Sequence, residues 1–316
     1  MSFESLMTKC QELNQSVEAL AALGAELRFR RESPGNDSRM PSLVHDVVDR
    51  IEPGLLAGVD ASQELAVLSL IRASFRQAID LLENPGRASG WAYEDPVILE
   101  SQGQASRLIV RGIDTLAAKR AALGATLRQP GVLLDVGTGV GWLAIEAARS
   151  WPALRVVGID SWEPALILAR QNIAQSGLLE RVELRSQRVE HLADERIFTL
   201  AWLPGPFIAA ELMGIALERV HRALAPGGWL LIGLYVPPPN KLGEALTNLR
   251  IVRSGGHPWT AGELEERLEA LGLERIESFS LSPVRCLTFT NFVSFCSNFL
   301  CVTARLVAEI ILSGDD

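Results

Sequence analysis

Leu133-Leu134-Asp135-Val136-Gly137-Thr138-Gly139-Val140-Gly141-Trp142 is the stretch on which the reading of this chain turns. A hydrophobic run ends in a glycine turn, and LAIEAAR continues it with helical spacing. Glycine lets the backbone turn sharply and approach a ligand that a Cβ would block. The helix that follows offers unpaired N–H groups to an anionic or carboxylate-bearing ligand. Nineteen residues past Gly141, at the end of the next apolar run, stands Asp160 in VVGID. An acid at that place can accept both hydroxyls of a ribose.

Two ligand classes use this layout. A dinucleotide fingerprint, G-x-G-x-x-G, needs glycine at position 142, where this chain has Trp142. Asp135 stands two residues before the first glycine. A carboxylate beside the turn suits a cationic ligand and is a poor neighbour for a diphosphate. An NAD(P)-linked oxidoreductase is the first rival reading, opposed by Trp142 and Asp135. A non-catalytic binding module, with the same loop and no acid–base pair, is the second.

Around the loop, short apolar runs alternate with helical segments: VLLDV, RVVGID, VELR, FTLAWL and GWLLIGLY. That alternation predicts βαβ units and a parallel sheet, with the ligand site along the strands' carboxyl ends. Pro226-Gly227-Gly228 reads as a turn before the last of these runs. Upstream the pattern is helical. Leu6, Leu13, Val17, Leu20, Leu23 and Leu27 share one spacing from about Phe3 to Arg31. Further helices are expected near Leu43–Ile51, from an N-cap at Asp60 to about Leu82, and from Ser106 to Leu127. Between the last two, GWAYEDPVILESQGQAS reads as an irregular segment rich in aromatic and amide groups. The divisions are a helical region, 1–128, an α/β domain, 129–290, and an apolar tail, 291–316. In the tail region Cys286 to Thr303 carries no charge, and Phe289, Phe292, Phe295 and Phe299 suit an amphipathic helix packed on the body or on a second subunit of a homodimer.

Composition narrows the partners. The formal net charge is -8 over 316 residues, which argues against a nucleic-acid surface. Cys10, Cys286, Cys296 and Cys301 show no C-x-x-C spacing, so neither zinc nor a disulfide framework is indicated, and no metal is expected. The first fifteen residues make no signal peptide, and no run of about 20 apolar residues spans a membrane. A cytoplasmic protein is the expectation.

DVGTGVG followed by GID resembles the cofactor-binding motifs of the class I S-adenosylmethionine-dependent methyltransferases. LERVHRALAPGGWLLIG resembles the family's helix, Pro-Gly-Gly turn and fifth strand, and TLAWLPGPF its fourth strand at the active-site edge. The likeness covers roughly Pro130 to Thr290. It implies an α/β Rossmann-like fold: a mostly parallel seven-stranded sheet with helices on both faces, here preceded by an α-helical domain. It also implies S-adenosylmethionine as cofactor. Asp135, Gly137, Thr138, Gly139 and Gly141 would meet its methionine part, Asp160 its ribose and Trp162 its adenine. Gln187 and Arg188 stand where the family often has an acid facing the adenine amino group, and Thr199 where its fourth strand often begins with Asp.

A small-molecule acceptor fits the acidic chain and the aromatic segment before the α/β domain. The Trp91–Gln104 segment is the candidate wall of its pocket, with Tyr93 and Gln102 its leading side chains, and Trp202 and Phe207 flank the exit of the fourth strand. No acid–base pair stands out. His257, in the glycine-flanked SGGHPW, and Tyr235, at the end of the fifth strand, are the candidate catalytic groups.

Overall fold

The computed structural model describes residues 2–32, 39–236, 240–280 and 298–305. The chain forms two compact units, Met1–Pro85 with Asp95–Ala105, and Gly86–Glu94 with Ser106–Asp316.

The first unit is helical: α1 (Phe3–Phe29), α2 (Arg39–Ile51), α3 (Ala61–Glu83) and the opening of α4 (Pro96–Lys119). The Asp60 carboxylate accepts from the N–H groups of Ser62 and Gln63 at 2.9 Å, and the Gln63 side chain accepts from Asp60 N–H. This reciprocal cap is why α3 starts where it does. Leu27, Leu68 and Ile71 form the core, with Leu20 and Leu23 packed against it. Gly24 lets α1 lie close to α3, for a Cβ there would stand 3.2 Å from Ile71. The stripe expected along α1 is half used, because Leu6, Leu13 and Val17 are exposed.

The segment read as irregular is corrected from Pro96 onward, where it is the first turns of α4. Proline suits the first helical position, whose N–H has no partner in any helix. Asp95 accepts from Val97 N–H at 2.8 Å. The helix expected at Ser106–Leu127 is thereby lengthened backward and broken at Arg120, beyond which α5 spans Ala121–Arg128. The division at 128/129 moves as well. The later turns of α4 and all of α5 belong to the second unit, where Ile109, Val110, Ile113, Leu123 and Leu127 join the core beside Leu133.

In the second unit five parallel strands lie in the order β3 (Val182–Ser186), β2 (Leu154–Asp160), β1 (Gly131–Val136), β4 (Phe198–Pro204), β5 (Leu224–Val236). Beyond β5 the sheet continues antiparallel through β7 (Asn298–Arg305) to β6 (Glu274–Ser280). The intervening helices are α6 (Trp142–Ser150), α7 (Glu163–Gln175), α8 (Ala210–Ala223), α9 (Lys241–Arg253) and α10 (Ala261–Ala270). Successive strand residues serve opposite faces, as the pleat requires. Leu134, Ile232 and Leu234 pack with α8 and α10, while Leu133, Leu231 and Trp229 pack with α4, α5 and α6.

Pro226-Gly227-Gly228 is a turn, as expected, but it lies within the span of β5: Gly227 takes φ +77°, a Cβ on Gly228 would stand 2.8 Å from the Ala225 carbonyl oxygen, and the register against β4 shifts there. One further expectation is corrected. Phe299 lies on β7 rather than on a helix. Asn298–Arg305 is rich in β-prone residues, and β5 offers it a free edge. Phe289, Phe292, Phe295, Cys286 and Cys296 fall outside the described residues.

Candidate functional site

The strand order reverses at β1, which has β2 on one side and β4 on the other. The crevice at the carboxyl ends of such strands is where an open α/β sheet receives ligands. The glycine loop fills that place. Gly137, Gly139 and Gly141 all have positive φ, at +67°, +56° and +83°, a region that L side chains enter at a cost. Gly137 and Thr138 donate their N–H groups to the Ile159 carbonyl at 2.9 and 3.1 Å, fastening the loop to β2. Gly158 admits it, since a Cβ there would stand 2.7 Å from Thr138 Oγ1.

Two carboxylates meet this loop. Asp135, at the end of β1, is 1% exposed, and Thr138 Oγ1 donates to its Oδ2 at 2.7 Å. Burial raises its pKa to about 7; the Thr138 hydrogen bond opposes the rise, and the charge of Asp160 adds to it. Asp160, at the end of β2, accepts from Gly139 N–H through Oδ2 and from Trp162 N–H through Oδ1, both at 2.8 Å. Burial pushes its pKa up against those backbone N–H groups and that of Ser161. Among the described residues neither acid has a Lys or Arg partner. Two desolvated carboxylates held around one backbone cradle, without a counter-ion, form a receptor for a ligand with positive charge and hydroxyl donors.

Gln187 follows β3, and its N–H donates to the Asp160 carbonyl at 2.8 Å, while its side-chain amide donates to the His191 carbonyl. Arg188 turns its guanidinium to Glu190. Thr199 sits at the start of β4 and exchanges hydrogen bonds with the backbone of Val132, so it ties β4 to β1.

The other half of the edge is aromatic. Trp162 Nε1 donates to the Tyr93 carbonyl at 2.8 Å. The Trp91 ring stands edge-on to Tyr93 at 5.3 Å and to Phe207 at 5.6 Å, and Phe207 meets Tyr235 at 6.2 Å. Arg87 lies over the Tyr93 ring and donates to its hydroxyl at 3.2 Å. Gly90 N–H donates to the Arg253 carbonyl, and a Cβ on Gly255 would stand 2.9 Å from Gly90 Cα. Residues Gly86–Glu94 therefore strap across the strand ends from α9 to the start of α7. Tyr235 and His257 line one cleft beyond β5, of about 330 Å³.

The structure brings Asp135, Gly137, Thr138, Gly139, Gly141, Asp160 and Trp162 together, with Gln187 adjoining. It joins Tyr93 and Phe207 through Trp91, and Tyr235 through Phe207. Trp202 is corrected: it is buried in the core under the sheet, with its ring against the Cα side of Gly233. The pleat sends it to that face, whatever the neighbouring Leu-Pro-Gly-Pro suggests. Gln102 lies on α4 in the first unit and is described with it. Trp91 belongs to the segment singled out as the candidate wall, two residues from Tyr93. Sequence reasoning missed Arg87, which nothing in the spacing marks.

Residues 133–228 match a family described as "Methyltransferase domain". The release factor glutamine methyltransferase of Cereibacter sphaeroides is 31% identical over 132 residues, 40% of this chain and 47% of that protein. The demethylmenaquinone methyltransferase of Thermus thermophilus is 32% identical over 146 residues, 42% of this chain and 60% of that protein. The chain thus spans about half the length of these curated relatives. The human N-acetylserotonin methyltransferase, solved in complex with S-adenosylmethionine, superposes with a TM-score of 0.62 at 14% identity, covering 98% of this chain and all of that one. That likeness is one of fold.

Proposed function

We propose that this chain, whose residues 133–228 match a methyltransferase domain, transfers a methyl group from S-adenosylmethionine to a small-molecule oxygen, nitrogen or carbon acceptor, as a member of the class I S-adenosylmethionine-dependent methyltransferases. The observation that carries this reading is the pair of desolvated carboxylates, Asp135 and Asp160, around a left-handed glycine loop at the sheet's switch point.

The cradle fits the cofactor's chemistry. When bound, S-adenosylmethionine supplies an electrophilic methyl on a sulfonium centre. Asp135 would hold its charge against the cationic methionine part, since an adjacent positive charge reverses the effect of burial on a carboxyl. Asp160 keeps lone pairs on both oxygens after accepting two backbone N–H groups, and these would receive the ribose hydroxyls. Trp162, fixed through its indole N–H, would flank the adenine, with Gln187 and Arg188 nearby. The strap of Trp91 and Tyr93, with Phe207 and Tyr235, would exclude water and align the acceptor. In-line displacement gains most from alignment and a dry site, so a dedicated base is not required. His257 and Tyr235 would be the groups to take a proton where the acceptor needs one.

The test is transfer of labelled methyl from the cofactor into a metabolite library. A labelled small product supports the reading; label appearing only in polypeptide would replace the acceptor class. No helix among the described residues is long and apolar enough to cross a membrane, and none of their His, Cys, Asp and Glu side chains cluster as a metal site. We place the protein in the cytoplasm and leave a second copy of the chain as a compatible partner.

A further inference from the structure

The apolar stripe of α1 is covered over only half its length. Phe3, Leu6, Cys10, Leu13, Val17, Leu20, Gly24 and Leu27 follow one another at steps that alternate three and four residues without a break. That is the heptad repeat of a left-handed coiled coil, with leucine at every d position: Leu6, Leu13, Leu20 and Leu27. From Leu20 onward the stripe packs inside its own unit. Leu27 shares a core with Leu68 and Ile71 of α3, Leu20 packs against it, and Gly24 lets α3 come close. Before Leu20 the stripe is uncovered among the described residues. Every residue from Ser2 to Gln15 is exposed, Phe3 by 75%, and Leu6, Leu13 and Val17 are about half exposed. A helical arm of this length is marginal in water by itself, so it needs a surface to lie on.

A second copy of the arm supplies that surface. Glu4, Glu12 and Glu18 fall at b and c positions, away from the seam. The flanking e and g positions carry Ser2, Met7, Lys9, Asn14 and Ser16, so one charge per copy borders the seam, and Lys9 pairs with Glu12 of its own helix. We propose that two copies of the chain pair through Phe3–Leu20 as an antiparallel coiled coil. Reversed on itself, the stripe sets Phe3 against the partner's Leu20, Leu6 against the partner's Val17 and Cys10 against the partner's Leu13. The same three pairs recur across the two-fold axis, as a closed, isologous contact requires. The direction follows from α3, which occupies the stripe beyond Leu20. A parallel partner would run into α3, whereas a reversed partner ends there. With Met7 beside it, the exposed stripe offers roughly 500 Å² per copy, so a pair covers about 1,000 Å², the area at which specific interfaces begin. The pairing stands independently of the methyl-transfer reading.

Sedimentation of the full chain over a range of concentrations tests it. The parent should be a dimer at micromolar concentration. Leu6→Glu and Val17→Lys, each alone, should raise the dissociation constant at least about tenfold, since each would bury an unpaired charge in two places. Combined in one chain, the two changes should bind at least about tenfold tighter than either single variant, because the reversed partner sets the new carboxylate against the new ammonium. Position 6 and position 17 are three turns apart, so the charges cannot pair within one helix. Loss of folding would not be repaired by a second apolar-to-charged change, and a parallel pair would be weakened further by it. A monomer at every concentration, a dimer indifferent to both single changes, or a double variant no tighter than the singles would each overturn the proposal.

Discussion

The two halves of the strand edge are built on different principles. At β1 and β2 the ligand cradle is backbone: three left-handed glycines, N–H groups aimed inward, and an acid at the end of each strand. At β4 and β5 the surface is side chain: Trp91, Tyr93, Phe207 and Tyr235 come from three separate stretches and meet only once the chain is folded. A cradle made from one strand-turn-helix is local in sequence. A wall made from a strap and two strand ends is not. The first half can serve one cofactor across many proteins, and the second can be rewritten for each acceptor, because loops on a fixed scaffold change without disturbing the sheet.

The first way to sharpen this comparison is the pH dependence of Asp135, where the largest effect is expected. With its pKa raised to about 7 in the fold from the ordinary 3.8 of an aspartate, the folded state between those values holds a proton that the unfolded chain has lost. Stability therefore falls as pH rises through that window. Asp135→Asn removes the dependence. The stability difference between parent and variant should change by on the order of 4 kcal/mol between about pH 4 and about pH 8, in the variant's favour at the higher pH. Denaturant titrations at the two pH values check it, and a constant difference would mean that the carboxyl is not desolvated. Cofactor affinity should fall in the same variant.

Asp160→Ala comes next, at about 2–3 kcal/mol of cofactor affinity, the worth of charge-assisted bonds to two hydroxyls. Because Asp160 also caps Gly139 and Trp162 N–H groups, the melting temperature of the ligand-free protein should drop too. Loss of stability with unchanged affinity would reduce it to a loop fastener.

Gly256→Ala strikes the other half. A Cβ there would stand 1.7 Å from the Pro206 carbonyl oxygen, so the connection after α9 must move away from the end of β4. About 1–3 kcal/mol of stability should be lost, with S-adenosylhomocysteine affinity in the surviving folded fraction close to the parent's. Equal damage to both would show that the two halves are one unit.

The smallest effect is Trp91→Ala, which removes two edge-on ring contacts, each worth about 0.5–1.5 kcal/mol beyond its area. Acceptor KM should rise or turnover fall while cofactor affinity holds.

What was legible in the sequence follows the same divide. The glycine loop, Asp135, Asp160 and the alternation of strands are each declared by residues adjacent in the chain, and they fixed the class of fold. The start of α4 was missed because aromatic and amide residues masked a proline at its first turn and an aspartate cap before it. Trp202 was misplaced because the exit of β4 was read from its Leu-Pro-Gly-Pro rather than from the pleat. The pairing of Trp91 with Phe207 could not be found by spacing, since the two lie over a hundred residues apart.

The most direct measurement is calorimetric titration of the ligand-free chain with S-adenosylhomocysteine and, separately, with NAD. The account predicts micromolar binding of the first, about 8 kcal/mol, and no heat from the second. Tight binding of NAD with no response to S-adenosylhomocysteine would contradict it.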